Sequence, residues 1–411
     1  MKILLYCLNF APELTGIGKY SGEMALWLAG RGHEVRVVCA VPYYPEWKVH
    51  AGFSVWRYQE ERRQVGLGSI RVMRCPLWVP RRLSGTRRLL HLLSFAVTSL
   101  PVLISQWAWR PNLMFVVAPA LMVAPQALLA AAVGGWRTWL HIQDFEVDAA
   151  LGLGLVRGGW FGRAAKWVEA QILSRFDVVS SISGAMCAKL VGKRVPASRV
   201  KLLLNWVDIK TIAPRAGPNA VRAELGISEE TTLLLYSGNM GEKQGLDLLV
   251  DAARQLEDKP TLLFLMVGTG GAKDRLQAMA AGLGNIVWWP LQPTSRMNEL
   301  LNAADIHLLP QRSDAADLVM PSKLGGMLAS GRMVLGTAHA QTELGQVLDR
   351  VGVRIDPGDA ELLAQTVLML ASQPDLRRAR GEAGRRYAEQ ALDIEPVLIE
   401  FESVAVSLKQ T

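Results

Sequence analysis

A chain of 411 residues that is 50% hydrophobic, 7% aromatic and 20% charged is too long for one ordinary domain and too apolar for disorder. Its 45 Lys+Arg against 37 Asp+Glu leave a net charge of +8, which favours anionic partners: nucleotides, phospholipid headgroups or nucleic acid. Four cysteines, Cys7, Cys39, Cys75 and Cys187, have no close pair among them, which argues against a disulfide scaffold or a thiolate zinc site and for a reducing compartment.

The segment from Met1 turns polar by Asn9, too soon for the apolar core of a signal peptide, so cytoplasmic residence is expected. Lys2 to Leu8 reads as a buried strand, Asn9 to Gly18 as a loop, and Tyr20 to Arg31 as a helix stopped by Gly32. A second strand follows from Glu34 to Ala40, completing a βαβ unit, the building block of parallel sheets. Arg81, Arg82, Arg87 and Arg88 then precede an apolar run from Leu89 to Trp109. A membrane span needs ~20 apolar residues. Pro101 and the weak downstream flank point instead to an interfacial segment over 81–110, with the arginines on headgroups and Phe95 and Trp107 in the acyl boundary. A buried helical hairpin is the alternative. Strands are predicted at Leu113 to Val117, Thr138 to Ile142, Phe176 to Ile182 and Val200 to Leu204, with Ser183 placed to cap a helix.

Pro214, Gly217, Pro218 and Gly226 mark a linker over 209–230. The pattern then restarts. Strands are predicted at Thr231 to Tyr236, Leu262 to Val267, Asn285 to Trp288, Ile306 to Leu309 and Met333 to Leu335, alternating with helices from Leu246, Met297 and Lys323. A helical tail closes the chain over 386–411. The expected fold class is α/β, with two doubly wound domains, 1–208 and 231–385. In open parallel sheets ligands bind beyond the carboxyl ends of the strands, and the cleft between two such domains is the expected site.

Four constellations carry chemistry. Gly16 and Gly18 in the first loop allow backbone amides at a helix start to approach phosphate oxygens. The full Gly-x-Gly-x-x-Gly fingerprint and a closing acid on strand two are missing, so an NAD-dependent oxidoreductase is only a remote alternative. The loop Ser237 to Gly245 carries Gly238, Asn239, Lys243 and Gln244, and Gly268 ends the next strand; a diphosphate could rest there, although the loop is not a Walker sequence. Pro321-Ser322-Lys323 opens a helix after a loop with Arg312 and Asp317. Ser322 reads as its cap. A lysine in a first helical turn is electrostatically misplaced unless an anion sits there, so Lys323 reads as a phosphate clamp. Finally, His141 and Asp144 stand at a strand's carboxyl end, with Glu146 and Asp148 beyond, suited to substrate contact or acid-base work; a metal held by the acids is the lesser reading, and none is expected.

Taken together, Pro12 to Tyr20, Pro42-Tyr43-Tyr44-Pro45, His141 to Asp144, Tyr236 to Leu246, Val267 to Gly270, Pro321 to Gly331 and Thr342 to Gln346 resemble the retaining glycosyltransferases of family four, which have the GT-B architecture. The resemblance spans almost the whole chain. It implies two Rossmann-like domains, the C-terminal one holding a nucleotide sugar and the N-terminal one an acceptor. It implies a hexosyltransferase-type enzyme with no tightly bound cofactor. GDP-fucose is the expected donor, another GDP- or UDP-sugar the alternative. The expected acceptor is a lipid-linked glycan of exopolysaccharide assembly at the inner leaflet of the cytoplasmic membrane, with no nucleic acid partner. The chain departs from the family pattern: Asn239 stands at the arginine place, Gln244 at the lysine place with Lys243 one position off, and Gly326 where the later glutamate would fall, while Asp317 lies near the earlier one. Lys323 is expected to replace the lost cation.

Overall fold

The computed structural model describes residues 1–13, 16–81, 84–119, 121–148, 159–241, 244–312 and 320–410. The chain forms two compact units, 1–204 with 398–411, and 205–397.

The first unit runs β1 (Lys2–Cys7), α1 (Gly16–Gly30), β2 (Glu34–Ala40), β3 (Gln59–Val65), β4 (Gly68–Cys75), α2 (Gly85–Ser105), β5 (Leu113–Ala118), α3 (Ala124–Gly134), β6 (Arg137–Ile142), α4 (Trp160–Leu173), β7 (Val178–Ser181), α5 (Gly184–Gly192) and β8 (Val200–Leu202). The strands lie in the order β3-β4-β2-β1-β5-β6-β7-β8, parallel throughout except for the β3-β4 hairpin at the edge. β1 and β5 read Lys-Ile-Leu-Leu-Tyr-Cys and Leu-Met-Phe-Val-Val-Ala because central strands of a doubly wound sheet are covered on both faces. They pair Ile3 to Leu113 and Cys7 to Val117. The chain winds from β1 through α1 to β2 in one direction and from β5 through α3 to β6 in the other. Right-handed crossovers then put α1 on one face and α2, α3 and α4 on the other, and the carboxyl ends of β1 and β5 form the topological switch point.

Two departures from the sequence reading have local causes. The helix expected from Tyr20 begins at Gly16, so both loop glycines lie in its first turn. The β3-β4 hairpin was not expected, because β3 (Gln-Glu-Glu-Arg-Arg-Gln-Val) is an exposed edge strand whose charges, among them Glu60 with Arg62 and Arg71, suppress any hydrophobic signal. Ser183 caps α5 as expected, accepting from the Met186 amide at 3.2 Å.

The second unit runs α6 (Ala220–Glu224), β9 (Thr232–Ser237), α7 (Asp247–Gln255), β10 (Leu262–Val267), α8 (Lys273–Met279), β11 (Ile286–Trp289), α9 (Met297–Ala303), β12 (Ile306–Leu309), α10 (Leu324–Ala329), β13 (Met333–Thr337), α11 (Glu343–Val351), β14 (Val353–Ile355), α12 (Ala360–Ala371) and α13 (Pro374–Tyr387). Its strands lie parallel in the order β11-β10-β9-β12-β13-β14, with the switch point between β9 and β12. Leu234, Tyr236, Phe264, Met266 and Leu308 pack one face of the sheet, and Leu233, Leu235, Leu265 and Leu300 the other. The stretch 209–230 carries α6, capped by Asn219, and is tied to α9 by the Arg215 amide on the Asn302 side chain at 2.8 Å. The last helix, α14 (Ile394–Gln410), belongs to the first unit from Leu398 onward, where Phe401 packs on Trp139 and Phe115 and Glu402 takes Arg31 and His33. The fold class is therefore the expected one, two Rossmann-like doubly wound α/β units.

Candidate active site

In the second unit the described residues at the switch point are Gly238 and Asn239 after β9, and Arg312 and Lys323 between β12 and α10. The Gly238 N–H extends the β9-β10 ladder by donating to Val267 O at 3.0 Å. That amide, expected as a phosphate donor, is therefore engaged within the protein. Gly268 serves the same junction: a Cβ there would lie 2.0 Å from Gly238 O, so only glycine lets the two turns touch. The glycines expected to cradle phosphate thus first hold two loops together. Asn239 lies between the turns, its Oδ1 2.6 Å from where a Gly270 Cβ would sit, and the Tyr236 hydroxyl donates to Asn239 O at 2.6 Å. The Gln244 Oε1 is buried near Gly241 without a hydrogen-bond partner among the described residues. Arg312 reaches the far end of the loop, its Cγ 3.0 Å from the place a Cβ on Gly245 would take.

Lys323 is the centre of this arrangement. Its ammonium lies 3.9 Å from the centroid of the Tyr236 ring and 3.4 Å from the Cβ position of Gly238. Nζ is buried and has no hydrogen-bond partner among the described residues. Burial without a counter-charge pushes its pKa from the ordinary lysine range down to about 7. A buried, unpaired cation at the carboxyl ends of parallel strands is a standing demand for an anion. One expectation is corrected: α10 begins at Leu324 and its N-cap position is Lys323, with no side-chain cap bond, so Ser322 is not the cap. Ser322 is exposed on the turn before it. Lys243 and Asp317 lie outside the described residues. Gly326, where the family glutamate would fall, faces Leu301, whose Cδ1 is 3.3 Å from a Cβ there.

In the first unit the glycine loop sits at its own switch point, with Gly16 as the first residue of α1. The first amides of a helix lack intrahelical partners and carry its positive end. Gly18 plays a different part, because a Cβ there would lie 2.6 Å from the Glu13 Cβ. Sequence reasoning did not single out Glu13, though it stands within the Pro12 to Tyr20 motif.

His141, expected as a substrate contact or acid-base group, is held inside the first unit. It is 4% exposed, with Nδ1 2.9 Å from Ser180 Oγ and Nε2 2.9 Å from Gln143 Nε2. Burial lowers its pKa to about 3, so it stays neutral at working pH. The acids after it separate rather than converge. Glu146 accepts from the Leu121 amide at 2.6 Å, and Asp148 pairs with Lys189 and Lys193 at 2.8 and 3.0 Å. Asp144 sits half-buried on the turn between them. Among the described residues no three ligating side chains gather for a metal.

The segment expected at a membrane interface folds as α2, with Pro101 inside it. Phe95 is corrected: it is fully buried and packs on Tyr6 at 5.8 Å. Trp107 is 36% exposed and its Nε1 donates to Ala130 O of α3. The outward stripe is formed instead by Leu89, Leu93, Val97, Leu100 and Ile104, all exposed at helical spacing, with Leu129 and Val133 exposed on the adjoining α3. Arg81, Arg87 and Arg88 are exposed at its start, and Arg82 lies outside the described residues.

Two family models cover nearly all of this structure. Residues 15–206 match the glycosyl transferase 4-like domain, and residues 219–387 match glycosyl transferases group 1. Over 411 residues the chain is 44% identical to WcaI of Escherichia coli (strain K12), named as a colanic acid biosynthesis glycosyl transferase, with 98% of each chain covered. The chain belongs to the GT4 glycosyltransferases. Solved GT-B structures share its fold at low identity. A sucrose-phosphate synthase from Thermosynechococcus elongatus superposes with a TM-score of 0.74 at 17% identity, covering 99% of this chain and 98% of that one. HepE of Anabaena, solved in complex with UDP-glucose, superposes with a TM-score of 0.69 at 14% identity, covering 99% of this chain and 100% of that one. In this glycosyltransferase the buried ammonium of the second unit's switch point is that of Lys323.

Proposed function

We propose that this glycosyltransferase moves a sugar from a nucleoside diphosphate, GDP-fucose, to a lipid-linked glycan in exopolysaccharide assembly, with retention and without a metal. The observation that carries the reading is the buried Lys323 ammonium beside the Gly238 turn, unpaired among the described residues. As the glycosidic bond to the donor breaks, negative charge grows on the diphosphate, and a fixed cation in a dry site stabilises that charge far more than water does. Lys323 is positioned to act as that electrophilic group, with Arg312 at the loop's outer end. Such a cation takes over what a divalent metal otherwise supplies.

The polysaccharide assignment rests on the likeness to WcaI. The lipid-linked acceptor rests on α2. A helix whose inner face, with Phe95 and Leu103, is packed into the unit while its outer face is apolar is suited to lie on a membrane rather than cross it. Arginines at its start would meet anionic headgroups. The protein would then work as a peripheral enzyme on the inner face of the cytoplasmic membrane.

The test is a thermal-shift and calorimetric panel of GDP, UDP, ADP and NAD, followed by turnover of the matching nucleotide sugar. Binding of GDP with Lys323-dependent affinity and release of GDP from GDP-fucose on transfer support the reading. Binding of UDP alone reassigns the donor. Binding of NAD alone overturns the class.

A further inference from the structure

Glu13 is a buried carboxylate, 2% exposed, with no ion-pair partner among the described residues. Its Oε1 accepts from the amides of Tyr43 and Tyr44 at 2.9 and 3.0 Å, and its Oε2 from Asn9 Nδ2 at 2.9 Å. Its hydrogen-bond partners among the described residues are all donors, so the geometry serves the ionised form. Burying a carboxylate this way is costly, and its pKa is raised by the desolvation. A packing residue at this spot would need no charge.

Its position explains what the charge does. Three pieces of backbone meet on this one side chain. Asn9 follows β1, the Tyr43–Tyr44 turn follows β2, and the first turn of α1 rests on it from the other side, with the Gly18 Cβ position 2.6 Å from Glu13 Cβ and 2.8 Å from Oε2. The Tyr43 turn is in turn seated on α2: its ring lies 4.8 Å from His91, and Trp47, held at φ 54°, packs on both at 5.3 and 5.2 Å. A left-handed φ on a tryptophan costs about 1–2 kcal/mol and marks a segment whose shape is imposed by its surroundings.

We infer that Glu13 is a positioning residue for sugar transfer, fixing the amides at the start of α1 relative to the turn after β2. This rests on the glycosyltransferase reading above. Glu13 is buried, so its action would run through the loop. Displacement of such a loop by an ångström is enough to lose one or two orders of magnitude in rate.

The experiment is a swap. Glu13→Gln keeps the shape and the contact to both amides but sets one NH2 group against that of Asn9. Asn9→Asp alone sets two carboxylates together. The double variant restores one donor against one acceptor. Measured well below the melting temperature, Glu13→Gln is expected to lower the kcat for GDP release from GDP-fucose at least tenfold, to leave the Kd for GDP within about twofold, and to regain activity within threefold in the Asn9→Asp/Glu13→Gln pair. Unchanged kcat in Glu13→Gln overturns the inference, as does a folded but inactive double variant. A loss of rate that simply follows the loss of melting temperature assigns Glu13 a structural role and also overturns it. Should Glu13→Gln fail to fold, the double variant decides alone. If the unmodified enzyme binds no nucleoside diphosphate, the failure belongs to the proposed function instead.

Discussion

Replacing Lys323 with methionine is expected to strengthen the fold while disabling the site. In the ligand-free protein the ammonium is buried over Tyr236 without an anion among the described residues, and its pKa falls to about 7. Each unit of depression is worth ~1.4 kcal/mol, so the drop from the ordinary lysine range amounts to ~5 kcal/mol at most. The Tyr236 ring offsets roughly 1–2 kcal/mol of the desolvation that a methionine would escape. A net gain of about 3–4 kcal/mol follows for Lys323→Met near neutral pH, or a rise of about 6–16 °C in the melting temperature of a unit this size. The sign with pH is fixed. Between pH 7 and the unfolded lysine pKa the unfolded chain holds one more proton than the folded one, so wild-type stability rises with pH across this window. The advantage of Lys323→Met is therefore largest below pH 7 and fades toward pH 10. Thermal melts of both proteins from pH 6 to 10, with GDP added in parallel, provide the assay. The same variant should lose at least tenfold in GDP affinity. A less stable Lys323→Met protein, or a stability difference independent of pH, would refute the reasoning.

Other outcomes follow from the same geometry. Diphosphate binding should restore the Lys323 proton, so calorimetry in buffers of differing ionisation enthalpy should show little proton uptake at pH 6 and nearly one proton at pH 8.5, abolished in Lys323→Ala. Vesicles rich in anionic lipid should float the protein at low salt and release it at high salt, and Leu93→Glu/Val97→Glu should abolish flotation without lowering the melting temperature, since both residues are exposed. Arg222 is 6% exposed and is held by Asp305, Ala303 O and Thr231 O, so Arg222→Ala should cost about 3–5 kcal/mol of the second unit's stability in denaturant titrations.

The doubly wound architecture was legible because its central strands are continuous apolar runs and its turns carry glycine; the strands Glu34–Ala40 and Leu262–Val267 stand where the pattern puts them. Of the edge strands, β3 and β14 were not. β3 carries charge where a strand usually carries apolar residues, and β14 has only three residues. At the site, Lys323 could be read from its electrostatic misplacement at a helix start. What could not be read is which contacts surround each group. His141 looks like a reactive histidine until Ser180 and Gln143 are seen on its two nitrogens. Phe95 and Leu93 look alike in an apolar run, and only the helix phase, set by what packs beneath it, sends one into the core and the other outward. Gly18 and Gly268 read as phosphate glycines, yet each is required by a neighbouring backbone or side chain. Glycine marks a close approach in sequence without saying what approaches.

A structure of the enzyme with GDP bound tests the central claim most directly. A phosphate oxygen is expected within hydrogen-bond distance, about 2.7–3.2 Å, of the Lys323 ammonium beside the Gly238 turn. GDP bound elsewhere, with Lys323 still buried and unpaired, would contradict that claim.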